Sequence, residues 1–195
     1  MNNPVLLVLV LSVVLFSSCT GQESAPKDSH ATDAVPTEAP ESIPASSMVL
    51  GLSGEGLQFI DANSGSSRTL MMDQVAFDTV IMATSSVLGE LSQRGECEVR
   101  GLVTASWDNG LTILSEGENF NGFWYSESGE PVLTTMSGIG IGTTVAEATE
   151  TMVGEVVEAS FGTLLVMDRL IGVLEGDGET AAITALYSGS VCIAD

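Results

Sequence analysis

"RTLMMDQVAFDTVIMATSSVLGE", Arg68 to Glu90, decides the fold, because the chain nearly repeats it 65 residues later as "LTTMSGIGIGTTVAEATETMVGE", Leu133 to Glu155. Laid over one another without a gap, the stretches agree at Thr69/Thr134, Met71/Met136, Thr79/Thr144, Val80/Val145, Ala83/Ala148, Thr84/Thr149, Gly89/Gly154 and Glu90/Glu155. Self-similarity at a fixed offset marks a duplicated unit. The physical patterns agree as well. In the first copy Phe77, Val80, Ile81, Thr84, Val87 and Leu88 recur at helical spacing and make one apolar face. Asp78 is placed to cap its start and Gly89 its end. In the second copy Val145, Ala148, Met152 and Val153 repeat the face, Thr143 or Thr144 can cap it, Glu147 completes a capping box with Thr144, and Gly154 ends it. Each copy predicts a short amphipathic helix.

Outward from each helix the period changes to that of strands. Leu102 to Trp107 leads through the hairpin signal Asp108-Asn109-Gly110 into Leu111 to Leu114, then through EGEN into Phe120 to Ser126. The second copy echoes this with Thr163 to Met167, a turn at Asp168-Arg169, Leu170 to Leu174, a Gly-Asp-Gly-Glu turn, and Thr180 to Ser188. A hairpin of Gly56 to Ile60 with Ser67 to Met72 precedes the first unit, and Val132 to Met136 is the candidate for the matching strand before the second. The expected fold class is therefore α+β: two tandem helix-plus-three-strand antiparallel units, residues 48–129 and 130–195, sharing one core or packed side by side because neither covers its own sheet.

The Gly-Thr-Thr helix start and the apolar helix ending in glycine resemble the small outer-membrane assembly lipoproteins of the SmpA/OmlA family and the β-lactamase-inhibitor proteins. The chain is more similar still to uncharacterised lipoproteins of actinobacterial type. The resemblance covers Ser67 to Ser190 and implies a tandem helix-and-sheet architecture.

Ahead of the folded part, Val5 to Phe16 reads VLLVLVLSVVLF, long enough for the apolar core of a secretory signal and shorter than the roughly 20 residues that span a bilayer. Ser17, Ser18 and Cys19 follow, and "FSSC" resembles the lipobox of bacterial lipoproteins. That resemblance implies a signal peptide over 1–18, cleavage before Cys19, and a diacylglyceryl (palmitate-type) anchor on its thiol. It also implies a cell-envelope location, the outer membrane in a diderm cell by virtue of Thr20, or otherwise the outer face of the plasma membrane. A plain secretory signal with Cys19 left as a thiol is the other reading. Thr20 to Ser47 is Ser/Thr/Pro/Ala in 17 of 28 positions. Such a stretch cannot bury enough to fold, so 19–47 reads as a lipidated cysteine and disordered tether, averaging roughly 30 Å end to end as coil and at most about 85 Å extended.

A net charge of −21, with 26 acidic residues against five basic ones, excludes nucleic acid as a partner, since no basic stripe is available to neutralise phosphate. An apolar fraction of 44% is ample for a core. His30, the only histidine, lies in the tether, and no lysine occurs beyond Lys27. The folded part thus lacks the usual serine, cysteine and Schiff-base machinery. No catalytic residue is assigned. Asp108 beside Trp107 is the best carboxylate, yet Asp168 occupies the matching turn of the second copy. "SGIGIGTT" lacks the full dinucleotide spacing and a P-loop lysine, and "GDGE" and "DANSG" do not continue into calcium loops. No metal or cofactor is expected. Cys97 and Cys192 form an even pair in an exported chain, either a disulfide or two buried thiols. The dense aromatic run Phe123-Trp124-Tyr125, with Trp107, is the candidate binding surface. Trp124 points to the opposite side of its strand from its two neighbours, and either face of the run serves the core or a partner. The expectation is a non-enzymatic, membrane-anchored protein-interaction module, held to the bilayer by the acyl chains on Cys19. A carbohydrate-binding or glycan-degrading envelope protein and an inhibitor of a secreted hydrolase are the alternatives.

Overall fold

The computed structural model describes residues 47–97, 101–126 and 129–192. A three-stranded antiparallel meander comes first: β1 (Met48–Ser53), β2 (Gly56–Asp61) and β3 (Ser67–Met71). Helix α1 (Phe77–Leu88) leads into β4 (Gln93–Cys97), β5 (Leu102–Ser106), β6 (Leu111–Glu116) and β7 (Asn119–Tyr125). Helix α2 (Val145–Thr151) leads in the same way into β8 (Glu155–Ala159), β9 (Gly162–Met167), β10 (Leu170–Glu175) and, after a 3-10 turn at Gly178–Thr180, β11 (Ala182–Gly189). The two meanders join through their last strands into one eight-stranded antiparallel sheet, ordered β4-β5-β6-β7-β11-β10-β9-β8.

This corrects the expected fold class. The molecule is mostly β, two antiparallel sheets with two short α-helices among the described residues, and not a pair of helix-plus-three-strand units. The strands β4 and β8 escape sequence reading because QRGEC and EVVEA carry charges where an alternating apolar signal would stand. Both are sheet edges, where charge blocks unwanted pairing. Strand β1 was missed because the leader and tether signals run up to it. Val132 to Met136 forms no strand to match β3; it makes isolated bridges, Leu52 to Thr135 and Thr134 to Gly140.

The two helix starts differ in chemistry. Helix α2 has the expected capping box: the Glu147 N–H donates to the Thr144 hydroxyl at 3.3 Å, and the Thr144 N–H donates to the Glu147 carboxylate at 2.9 Å. Helix α1 begins earlier than Asp78, at Phe77, with Ala76 as N-cap and no side-chain cap. The Phe77 N–H instead donates to the Glu118 carbonyl in the β6–β7 turn at 2.9 Å, and Asp78 pairs with Arg94 of β4 at 3.2 Å. Helix α2 stops at Thr151, two residues short of Val153, so Val153 leaves the apolar face and is 96% exposed.

One core serves both halves. Leu50, Leu52, Leu57 and Phe59 of the small sheet pack with Phe77 and Val80 of α1 and with Val145 and Ala148 of α2. All of these lie against Ile113, Phe123, Leu165 and Leu186 of the large sheet. The seam is held where Ser188 Oγ lies 2.8 Å from the carbonyl oxygens of both Gly54 and Arg169, its single hydroxyl proton shared between them, tying β11 to the β1–β2 and β9–β10 turns. The small sheet and both helices thus contribute to the core on one face of the large sheet, and the opposite face lines no part of that core.

Candidate functional site

The cross-strand registers define that opposite face. Ser106 pairs with Thr112 and Thr112 with Trp124; Trp124 pairs with Tyr187 across the seam, Tyr187 with Ile171, and Ile171 with Val166. Side chains directly opposite one another share a face, so these six form one continuous row across six strands. Beside it run Thr104 and Leu114 in the first half, and Val157, Leu164, Val173 and Ala185 in the second. None of these residues belongs to the main core.

The composition of this face is its informative feature. Hydroxyls (Thr104, Ser106, Thr112) occupy the first half, aliphatic side chains the second, and a stacked aromatic pair the middle. Trp124 and Tyr187 lie with ring centroids 5.7 Å apart and planes at 17°. Burial in this apolar setting pushes the Tyr187 phenol above its ordinary value. In a chain of net charge −21, none of these twelve residues carries a charge at neutral pH; the row meets its first carboxylate at Glu155, opposite Val166 on the edge strand β8. Charge depletion around aromatic side chains distinguishes the centre of a recognition surface from ordinary exterior.

The chain end shapes one side of the face. Cys97 and Cys192 form a disulfide, Cα to Cα 5.9 Å, which pins the segment after β11 against the end of β4. That segment crosses directly over Gly122: a Cβ on Gly122 would overlap the backbone of Ser190. Between the crossing segment and the sheet lies an open cavity of about 220 Å3 lined by Thr104, Thr112, Leu114, Trp124 and Cys192.

Of the candidate binding residues, the structure leaves one on this face. Trp107, Phe123 and Tyr125 are 3%, 0% and 0% exposed and sit in the main core, so they are unable to touch a partner. Tyr125 Oη accepts the Leu133 N–H at 3.0 Å, fixing the segment after β7. Trp124 alone points outward, half-buried. The period of two predicted that separation but not which side was the core. Tyr187 carries no local signal of this role; its pairing with Trp124 depends on the β7–β11 seam, a contact between chain segments far apart that no local pattern encodes. Asp108 and Asp168 are both exposed in hairpin turns, Asp168 at φ 57°. Among the described residues no group of three metal-binding side chains converges, and no helix is long and apolar enough to cross a membrane. Cys19, the FSSC stretch and the expected tether up to residue 46 lie outside the described residues.

No protein-family model matches the chain, and no curated protein matches it in sequence. Among solved structures, a cysteine-rich secretory protein from Staphylococcus aureus subsp. aureus Mu50 superposes on 60% of this chain at 10% identity with a TM-score of 0.36. The overlap covers 47% of that protein, so this chain matches about half of its length. A superposition this loose carries no argument about fold or function.

Proposed function

We propose that the protein is an exported lipoprotein, anchored through Cys19, that docks another protein on the second face of the eight-stranded sheet, where Thr112, Trp124, Ile171 and Val166 are partly exposed around the buried Tyr187. The observation that carries the reading is the uncharged row from Ser106 to Val166, centred on the Trp124–Tyr187 stack, in a chain of net charge −21. An exterior under no selection for contact would share that charge. The anchor rests on the short apolar leader, the FSSC stretch and the unfoldable tether, and it is consistent with Cys97 and Cys192 being paired with each other. Dual acyl chains hold stably where one is marginal.

Two measurements test it. A photo-reactive residue at Thr112 or at Ile171 is expected to form adducts in native membranes, while one at Met82, exposed on α1, is not. Equal yields from all three positions overturn the docking face. Labelling with radioactive palmitate is expected to mark the wild type and to miss Cys19→Ala; equal incorporation overturns the anchor.

A further inference from the structure

The cavity beside Trp124 has a chemistry of its own. Among the described residues it is walled by two threonines, a leucine, an indole and the disulfide cysteine, none of them charged. Thr112 Oγ1 is already paired with Ser106 Oγ at 2.8 Å, so the lining side chains offer a ligand little beyond the Thr104 hydroxyl and the Trp124 indole N–H. A sugar ring bears a hydroxyl on nearly every carbon and would leave most of them unpaired here. An apolar side chain loses nothing by entering. Its volume of about 220 Å3 accommodates one aromatic or long aliphatic side chain rather than a polymer segment. The walls are also rigid: Tyr187 stacks on Trp124 from one side, Thr112 opposes it on the other, and the disulfide fixes Cys192.

Charge selects what carries that side chain. Beyond Met48 the chain has no lysine, and of its arginines Arg94 is paired with Asp78 and Arg169 with Glu55. Glu116 ends β6 two residues after Leu114, on the same face as the cavity. A second copy of this chain, at −21, would be repelled; a basic partner is attracted.

We propose that the cavity bounded by Thr104, Thr112, Leu114, Trp124 and Cys192 is a socket for one apolar side chain projecting from a basic stretch of the partner protein, with the disulfide holding its far wall. This rests on the docking reading and adds the partner's chemistry to it. Anchors of this kind, buried in a pocket near the centre of an interface, dominate binding energies.

The test uses the full chain in a nonionic detergent, with labelled leucine and threonine methyls and indoles, titrated with blocked tripeptides. Lys-Phe-Lys is expected to shift Leu114, Thr104, Thr112 and the Trp124 indole together and to saturate in roughly the millimolar range. Lys-Ala-Lys and Glu-Phe-Glu are expected to bind at least about ten-fold more weakly, the first for want of an anchor and the second by repulsion. Trp124→Ala, which empties one wall, and Thr112→Phe, which fills the cavity, should each abolish the shifts. The paired variant Cys97→Ala/Cys192→Ala should weaken them. Equal binding of Lys-Ala-Lys or of Glu-Phe-Glu overturns the socket, as does silence at these residues. N-acetylglucosamine binding there more tightly than Lys-Phe-Lys also overturns it, in favour of a glycan site. If Thr112 and Ile171 cross-link to a partner while the tripeptide leaves the cavity untouched, the docking face stands and the socket falls. If neither responds, both fall.

Discussion

Phe123, Trp124 and Tyr125 are adjacent, yet they have opposite fates, and mutation should separate them. Phe123 is fully buried, so Phe123→Ala is expected to cost about 3–5 kcal/mol in urea unfolding by lost transfer energy and an unfilled cavity. Trp124→Ala should cost distinctly less, because the ring is half-exposed and packs mainly on Tyr187, while removing partner binding. If the two variants lose equal stability, Trp124 is a core residue and the outward face is misassigned. Gly122 makes a sharper case. Any side chain there meets the Ser190 backbone, so Gly122→Ala must displace the crossing segment or strain the β7–β11 pairing, at an expected cost of about 1–3 kcal/mol. Gly65→Ala is the opposite case: its φ of 68° strains any side chain while nothing lies around it, so its cost is conformational where that at Gly122 is steric.

Among the elements, the helices and hairpins were legible and the edges were not. The capping box at Thr144 and Glu147 could be read outright, since it depends on residues three apart. Helix α1 could not be started correctly, because the group that satisfies its first N–H is Glu118, some forty residues away in sequence. Asp108-Asn109-Gly110 is the turn expected, and the structure adds why asparagine sits there: it is buried, with Oδ1 accepting the Leu111 N–H at 3.3 Å and Nδ2 donating to the Pro131 carbonyl at 3.0 Å. The capping box also has a pH signature. Hydrogen bonds from the Thr144 N–H, and then from its hydroxyl, hold the Glu147 carboxyl below its ordinary value. Such a group stabilises the fold fully above the unfolded-chain value and loses that contribution as pH falls through the lowered folded one. The stability difference between wild type and Glu147→Gln should therefore be constant near neutrality and shrink under acid conditions below the ordinary glutamate range. A difference that grows on acidification contradicts the box. Thr144→Ala removes the other half and should cost about 1 kcal/mol at neutral pH.

At the scale of the molecule, the helix-then-strands order was legible, but the two three-stranded units expected from it were not what forms, and their closure into one sheet could not be read. The sequence pattern left open whether two units share a core or sit side by side; the β7–β11 seam and the common apolar cluster make them one body. The disulfide bears on this directly. It closes a loop of 95 residues, from β4 at one edge of the sheet to the segment after the final strand, and so spans both helix-led halves. On the chain-entropy account a loop of this length is worth about 4–5 kcal/mol, through fewer unfolded conformations rather than new folded contacts. The paired variant Cys97→Ala/Cys192→Ala should then lower the urea midpoint substantially while leaving a single transition, because the shared core still couples the halves. Amide exchange should rise in β4 and in the segment over Gly122, which the bridge pins, and stay slow in β6, β7 and β11 at the centre of the sheet. Two separate transitions in the variant would mean that the halves have independent cores joined by little more than the bridge. The continuous row through Trp124 and Tyr187 could not then persist as one surface. The integrity of the docking face and the cooperativity of folding thus depend on the same seam, and loss of one in this variant predicts loss of the other.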